Sequence, residues 1–223
     1  MDRRIFLGAG AGLLAVGGAS MWLNSGSSMP ALPPLGAANA QEASDVDTSG
    51  IVEMVLGAED APIEMIEYAS FTCPHCANFH LNVMGKIKAD YIDTGKVRFI
   101  YRDVYFDRFG LWASMVARCG GADKFFGVSD LVYKQQKEWL AGGDPATIVS
   151  NLRKIGKVAG LTDEGLDSCL SDGENAKALV AWYQKNAEMH DINSTPSFVI
   201  DGEKFSNMSY ESFKEILDAK LGG

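Results

Sequence analysis

The stretch SFTCPHCANFH, residues 70–80, holds two cysteines that are separated by two residues, Cys73-Pro74-His75-Cys76. A pair with this spacing can exchange disulfides, bind a metal or simply cross-link the chain. A cross-link over so short a gap closes little chain, so it stabilises a fold only slightly. The C-x-x-C spacing is only moderately specific by itself, and it favours redox chemistry over the other two uses.

The proline predicts which cysteine is reactive. Proline is favoured at the first position of a helix, because its backbone angle is preset and its missing N–H would be unpaired there. Cys73 would then be the N-cap, with its sulfur near the N–H groups of His75 and Cys76 and at the positive end of the helix dipole. Both effects predict a low pKa for Cys73. A stabilised thiolate favours the reduced pair, so the sequence predicts an oxidant, with Cys76 as the buried resolving thiol.

The elements around this motif follow the order of a parallel α/β unit. Apolar residues at fourfold spacing predict an amphipathic helix from Pro74 to about residue 93. Strands are predicted on either side of it, at residues 51–56, 63–68 and 97–101. A strand, a helix and a strand in succession imply a parallel pair joined by a right-handed crossover.

The rest of the chain predicts a long helical region and then a return to the sheet. Residues 106–191 contain helical segments separated by glycine-rich turns, without strand-like alternation. Ser197–Ile200 predicts a strand that turns back at Asp201-Gly202, and residues 210–221 predict a last helix. The predicted fold class is therefore α/β, with an all-helical domain inserted between two parts of the sheet domain, residues 50–105 and 192–223.

The first 40 residues have the pattern of an export signal. A basic start precedes an apolar, glycine-rich run, and Ala38-Asn39-Ala40 matches the small-x-small site of a signal peptidase, which predicts cleavage after Ala40. Arg3-Arg4 followed by Phe6 and Leu7 also fits the twin-arginine pattern. An uncleaved membrane anchor is the alternative, because the apolar run approaches the length that spans a bilayer. Residues 41–49 would be a linker.

Charge and cysteine count set further expectations. Removal of residues 1–40, which carry Asp2, Arg3 and Arg4, changes the formal net charge from −9 to −10. Such an acidic protein is not expected to bind nucleic acid. In an exported protein an even number of cysteines usually means pairing, and the obvious second pair is Cys119 with Cys169.

Glu67 and His80 are two further candidates near the motif. Glu67 shares strand parity with Ile63 and Met65, which puts a carboxyl group on a face that helices should cover. Buried there, it would have a raised pKa and could exchange a proton with Cys76; the alternative is a glutamate that reaches solvent. His80 could add a third ligand to a zinc or copper site, but no second C-x-x-C or histidine pair completes one, so we expect a packing or surface residue and no metal.

The segments EYASFTCPHC and STPSFVI, at residues 67–76 and 194–200, resemble the DsbA-like thiol:disulfide oxidoreductases of the thioredoxin superfamily. The resemblance covers residues 50–223 and implies a thioredoxin-like fold with the inserted helical domain. It also implies roles for individual residues: Cys73 as the exposed attacking cysteine, Cys76 as its buried partner, Pro74 and His75 as the pair that tunes the potential, Glu67 as the buried acid, and Thr195 and Pro196 as a substrate-binding pair with a cis-proline.

The same resemblance implies an exported, periplasmic enzyme that introduces disulfides into reduced exported proteins. Such an enzyme needs no bound cofactor and is reoxidised by a quinone-linked membrane partner resembling DsbB. Thr195 stands where the best-known oxidases have valine, and threonine also occurs there in isomerases, so an isomerase or reductase is the alternative. Those isomerases carry an N-terminal dimerisation domain, for which the segment after Ala40 is too short, so we expect a monomer. The Cys119–Cys169 pair, in the helical region, is expected to be structural.

Overall fold

The computed structural model describes residues 46–222, and the predicted export signal and most of the predicted linker lie outside the described residues. Five strands form one mixed sheet in the order β1-β3-β2-β4-β5. The strands are β1 (Met54–Leu56), β2 (Ile63–Ala69), β3 (Val97–Asp103), β4 (Ser197–Ile200) and β5 (Glu203–Ser206). The central pair, β2 and β3, is parallel, and the other neighbours pair antiparallel. The predicted thioredoxin-like α/β fold is confirmed, although the first strand is shorter than residues 51–56.

The helix after the cysteine motif runs without a break but changes its winding. It consists of α1 (Pro74–Phe79), a π-helical segment (His80–Met84), α2 (Gly85–Ile87) and a second π-helical segment (Lys88–Ile92). π-Helical turns rotate the residues that follow them relative to a regular helix, and they are often found near functional sites. The first of these segments begins at His80.

Helices make up every regular element between β3 and β4 in the described chain. They are α3 (Arg108–Arg118), α4 (Ala122–Lys134), α5 (Gln136–Trp139), α6 (Pro145–Val158), α7 (Asp163–Ser171) and α8 (Gly173–Met189). Four of them begin at a capping side chain that accepts a backbone N–H, which explains their starts; these caps are Asp107, Asp144, Thr162 and Asp172. No helix in residues 46–222 is long and apolar enough to span a bilayer.

The hairpin predicted at the end of the sheet is confirmed. β4 and β5 are joined by Asp201 and Gly202, both of which have positive φ, the geometry of the tight turn that suits the twist of two antiparallel strands. The Asp201 carboxylate also accepts the backbone N–H of Glu64 at 2.9 Å. The last helix, α9 (Tyr210–Gly222), follows the hairpin.

The sheet is buried on both faces, which determines where the site lies. The larger core lies on the face of Met65, Phe99 and Phe198, and it includes residues of α1, of the helices between β3 and β4, and of α9. The smaller core lies on the opposite face, around Ile66 and Tyr68. Glu67 has the parity of Met65, so its carboxyl group lies on the more deeply covered face.

Candidate active site

The cysteine motif lies where β2 ends and α1 begins. Pro74 is the first residue of the helix and Cys73 is its N-cap, with extended backbone angles. Pro74 and His75 are exposed, whereas both cysteine side chains are buried. The two middle residues of the motif therefore face solvent, and the two thiols point into the protein. The thiols are not bonded to each other.

The surroundings of the Cys73 sulfur stabilise its negative charge, and the largest contribution is one that the sequence did not predict. Its side chain makes no capping hydrogen bond. The pKa of Cys73 is lowered from 9.0 to about 5, chiefly because the Cys76 thiol donates a hydrogen bond to it; burial opposes this, and Thr195 and the amides of Cys76 and His75 contribute less. The helix start thus contributes to the low pKa, and the neighbouring thiol contributes most.

Cys73 is also less exposed than its implied role as an attacking cysteine suggests. It keeps 8% of its surface, whereas Cys76 keeps none. Burial raises the pKa of Cys76 far above its ordinary value, and its hydrogen bond to Cys73 and the negative charge of Glu67 raise it further. At neutral pH the pair therefore holds one proton, which is on the Cys76 sulfur.

Thr195 and Pro196 lie next to the Cys73 sulfur. The peptide bond between them is cis, and the Cys73 Sγ lies 3.5 Å from the carbonyl oxygen of Thr195, which can accept the thiol proton. The buried hydroxyl of Thr195 has no hydrogen-bond partner among the described residues. A hydroxyl in this position can donate to the thiolate, which agrees with its lowering effect on the pKa of Cys73.

Glu67 lies beneath the motif, in the middle of the sheet. It is fully buried on β2, opposite Tyr101 of β3 and Phe198 of β4. Its two carboxylate oxygens lie 2.9 and 3.2 Å from Nε2 of His80. The sequence led us to expect that His80 would be a packing or surface residue, and the structure instead makes it the partner of the buried acid.

Three hydrogen bonds join the helical region to the loop that carries Cys73. The buried amide of Gln136, the first residue of α5, donates to the carbonyl oxygens of Phe71 and Cys73 at 2.7 and 3.0 Å. The Thr72 hydroxyl donates to the carboxylate of Asp107 at 2.8 Å, and the same carboxylate caps α3. Sequence reasoning missed these contacts, because a glutamine in a helical segment carries no signal of a partner more than 60 residues away.

Cys119 and Cys169 form a disulfide within the helical region, between the end of α3 and α7. The bond closes a loop with a sequence separation of 50 residues. Neither cysteine contributes to the surroundings of Cys73 described above. The chain thus contains a closed pair in the helical region and an open pair at the sheet.

The donor geometry does not favour the metal-binding alternative. Within residues 46–222 no three histidine, cysteine or acidic side chains are grouped so that they could hold a metal ion. His80, which could have supplied a third ligand, directs Nε2 to Glu67.

Comparison with known proteins agrees with this geometry. The thioredoxin family model (Thioredoxin_4) matches residues 49–219. A Rickettsia bellii protein provisionally named protein-disulfide oxidoreductase is 34% identical over 170 residues, which cover 76% of this chain and 64% of that protein. The chain thus spans somewhat less than two thirds of the length of this relative.

Two solved structures share the fold. The crystal structure of Wolbachia pipientis alpha-DsbA1 has a TM-score of 0.70 and 29% identity, and the match covers 76% of this chain and 91% of that one. A protein-disulfide isomerase from Novosphingobium aromaticivorans has a TM-score of 0.69 and 25% identity, over 77% of this chain and 98% of that one. The family model, the relatives and the fold agree that the chain belongs to the thioredoxin family, as a DsbA-like member.

Proposed function

We propose that this protein is a thiol:disulfide oxidoreductase that introduces disulfide bonds into substrate proteins through the Cys73–Cys76 pair. The observation that carries the proposal is the opposite direction of the two pKa shifts: that of Cys73 is lowered to about 5, and that of Cys76 is raised. A thiolate that is stable at neutral pH is a good leaving group and favours the reduced pair, so the oxidised pair is readily reduced by other thiols.

The reaction begins with the pair as a disulfide. A substrate thiolate attacks Cys73 Sγ, the Cys73–Cys76 bond breaks, and its electron pair goes to Cys76 Sγ, which takes up a proton. A second substrate thiolate then attacks the substrate sulfur of the mixed disulfide, and Cys73 leaves as a thiolate. The substrate is oxidised by two electrons and the enzyme is reduced by two. Of the two protons that the substrate thiols lose, one is balanced by the proton on Cys76 and the other goes to solvent.

Thr195 and Pro196 would contact the substrate next to the reacting sulfur. The Thr195 carbonyl lies 3.5 Å from Cys73 Sγ, so a peptide that docks there lies beside the atom it must attack. The exposed Pro74 and His75 would form the opposite side of this contact and, through their position in the motif, tune the potential. Glu67, buried beneath Cys76, would accept and return the Cys76 proton.

The cellular setting belongs to the same proposal. The basic, apolar and small-x-small pattern of residues 1–40 supports export to the periplasm, where newly exported reduced proteins would be the substrates. Turnover then requires an oxidant for the reduced pair, and a quinone-linked membrane protein resembling DsbB would supply it. We propose that the enzyme acts as a monomer, without a bound cofactor, and that the helices of residues 106–191 form a domain inserted between the two parts of the sheet domain.

An isomerase or reductase is the second candidate. Thr195 favours it, because threonine before this proline also occurs in isomerases of the superfamily, and one of the similar structures is named a protein-disulfide isomerase. The reduction potential separates the two functions. A potential close to that of thioredoxin, about −270 mV, would favour a reductase, and a value well above it would favour the oxidase.

The direct test uses reduced, unfolded ribonuclease. The preoxidised protein, mixed with it in stoichiometric amounts without other oxidants, should restore ribonuclease activity and become reduced itself. Cys73→Ser is the matched control and should be inactive. If the wild-type protein reactivates scrambled ribonuclease but does not oxidise the reduced form, the isomerase assignment replaces ours.

A further inference from the structure

The pair formed by Glu67 and His80 has a feature that the exchange reaction does not by itself require. Glu67 is completely buried in the central strand, and both of its carboxylate oxygens face a single ring nitrogen, Nε2 of His80, at 2.9 and 3.2 Å. An ionised Glu67 accepts the hydrogen of Nε2–H, and a protonated Glu67 can donate its own hydrogen to Nε2, so the contact can carry a proton in either direction. A buried carboxylate with a single histidine partner can exchange protons in step with that histidine.

His80 is the member of this cluster that reaches solvent. The side chain of His80 is 10% exposed, whereas Glu67, Cys76, Tyr101 and Tyr133 are each no more than 1% exposed. Within residues 46–222 its second ring nitrogen, Nδ1, makes no hydrogen bond to another residue. A proton that leaves Glu67 therefore has a ready route through the imidazole, in at one nitrogen and out at the other.

The ring is held in a fixed orientation by aromatic neighbours. It stacks on Tyr133 of α4, with centroids 4.2 Å apart and an interplanar angle of 15°. It also packs edge to face with the rings of Phe79 and Tyr101, with centroids 5.5 and 5.9 Å apart. His80 is also the first residue of the π-helical segment His80–Met84, a type of winding that is often found near functional sites. Three elements thus orient one imidazole on one carboxylate.

Electrostatics connects this pair to the resolving thiol. The negative charge of Glu67 raises the pKa of Cys76, and it also raises the pKa of Tyr101 and Tyr133. The titratable side chains in contact with His80 are Glu67 and Tyr101 from the sheet and Tyr133 from α4, and Cys76 precedes His80 by four residues along the chain. The tyrosines are buried, with raised pKa values, and remain neutral at physiological pH, so Glu67 is the neighbour with which His80 can exchange a proton.

We propose that His80 is a positioning residue for this reaction, which orients Glu67 and carries its proton to and from solvent each time Cys76 is used. This inference rests on the proposed function. When the disulfide opens, Cys76 Sγ receives the electron pair and takes a proton from the Glu67 carboxyl group; His80 then returns a proton from solvent to Glu67. When the disulfide closes again, Cys76 gives its proton to the Glu67 carboxylate, and His80 passes it out to solvent.

The test isolates the step in which Cys76 gives up its proton. Oxidised glutathione is added to the reduced protein, Cys73 forms a mixed disulfide with it, and Cys76 then displaces glutathione. Acid quenching and mass spectrometry give the rate of each step across pH 5 to 9. We expect His80→Gln, which keeps a donor to the carboxylate but cannot relay a proton, to slow the second step at least about tenfold at pH 7, within the usual range for general acid–base catalysis.

The matched control is His190→Gln. His190 is bonded through Nδ1 to the Tyr68 hydroxyl at 2.7 Å, on the opposite face of the sheet, so its loss should not change either step. Added imidazole should restore part of the lost rate in His80→Gln and have no effect on the control. His80→Phe, which keeps an aromatic ring stacked on Tyr133, guards against a packing effect and should be as slow as His80→Gln.

Glu67→Gln completes a double-mutant cycle. If His80 acts through Glu67, His80→Gln should add little to the defect of Glu67→Gln. A second step with an unchanged rate and pH profile in His80→Gln would overturn the inference. A double variant whose rate loss equals the product of the losses in His80→Gln and Glu67→Gln would overturn it as well. Failure to oxidise ribonuclease would refute the proposed function instead, because the glutathione reaction measures proton transfer at Cys76 whatever the natural direction of exchange.

Discussion

The low pKa of Cys73 should make the reduced protein more stable than the oxidised one, by an amount that depends on pH. In the folded, reduced protein the pKa is about 5, and its reference value is 9.0. The folded pKa is depressed, so the stabilisation is absent below about pH 5, grows as the pH rises from 5 to 9, and is complete above pH 9. The oxidised protein has no thiolate and should lack this dependence.

The size of the effect follows from the same shift. At pH 7 the folded thiol is ionised and the unfolded one is not, and the two pH units between 5 and 7 correspond to about 2.7 kcal/mol. The Cys73 sulfur keeps some contact with solvent, which screens its charge, so we expect about 2 kcal/mol. For a two-electron couple this raises the reduction potential by about 40 mV.

Two measurements check this prediction. The absorbance of the thiolate at 240 nm, followed in the reduced protein, should rise with a midpoint near pH 5. Urea unfolding of the reduced and oxidised forms at pH 4.5, 6 and 7.5 should show a stability difference that widens with pH. The Cys119–Cys169 bond must stay intact in both samples, which alkylation and mass spectrometry can verify.

Variants separate the causes of the shift. Cys73→Ser carries no thiolate at this position and cannot form the disulfide, so its absorbance at 240 nm should lack the transition near pH 5. Cys76→Ala removes the principal hydrogen-bond donor to the thiolate and should raise the pKa of Cys73 toward its ordinary value. A thiolate midpoint above pH 8 in the wild-type protein, or a stability difference that stays flat between pH 5 and 8, would refute the reasoning and with it the proposed oxidase.

Three further predictions concern the active-site loop, Thr195 and the second disulfide. Gln136→Ala should lower the free energy of unfolding, measured with urea, by about 1 to 3 kcal/mol, because it leaves buried carbonyls of the active-site loop unpaired. Gln136→Glu has no amide donor and should not restore the stability. Thr195→Val keeps the shape of the side chain and removes its hydroxyl, so absorbance titration should show a rise in the pKa of Cys73, smaller than that caused by loss of the resolving thiol. Replacing both Cys119 and Cys169 by serine opens a 50-residue loop and should destabilise the protein by about 4 kcal/mol in the chain-entropy model, with an unchanged thiolate midpoint; a shifted midpoint would instead link that disulfide to the redox pair.

The regular elements near the motif were predictable, because local signals determine them. Pro74 begins its helix, and Asp201-Gly202 forms its turn, for reasons contained in two or three residues. Alternation along β2 put Glu67 on the covered face, where the structure has it fully buried. Each of these inferences needs only backbone geometry and the period of a strand or helix.

The contacts between distant segments were not predictable in this way. The bond from Gln136 to the carbonyl of Cys73 joins residues 63 positions apart, and no local pattern indicates it. His80 seemed a poor candidate because its partner, Glu67, lies on another element, 13 residues earlier in the chain. The amides of His75 and Cys76 lower the pKa of Cys73 as the sequence predicted, but the larger effect of the hydrogen bond from the Cys76 thiol was not predicted.

On the proposed function, this protein is also a substrate for the reaction that it catalyses, because it needs a disulfide between Cys119 and Cys169. The first molecules to reach an oxidising compartment would need some other oxidant to close that loop, and each finished molecule could then oxidise the next. Maturation of such an enzyme would be self-amplifying, with a lag after synthesis begins, and newly made molecules would lack this bond wherever the supply of oxidising equivalents fails.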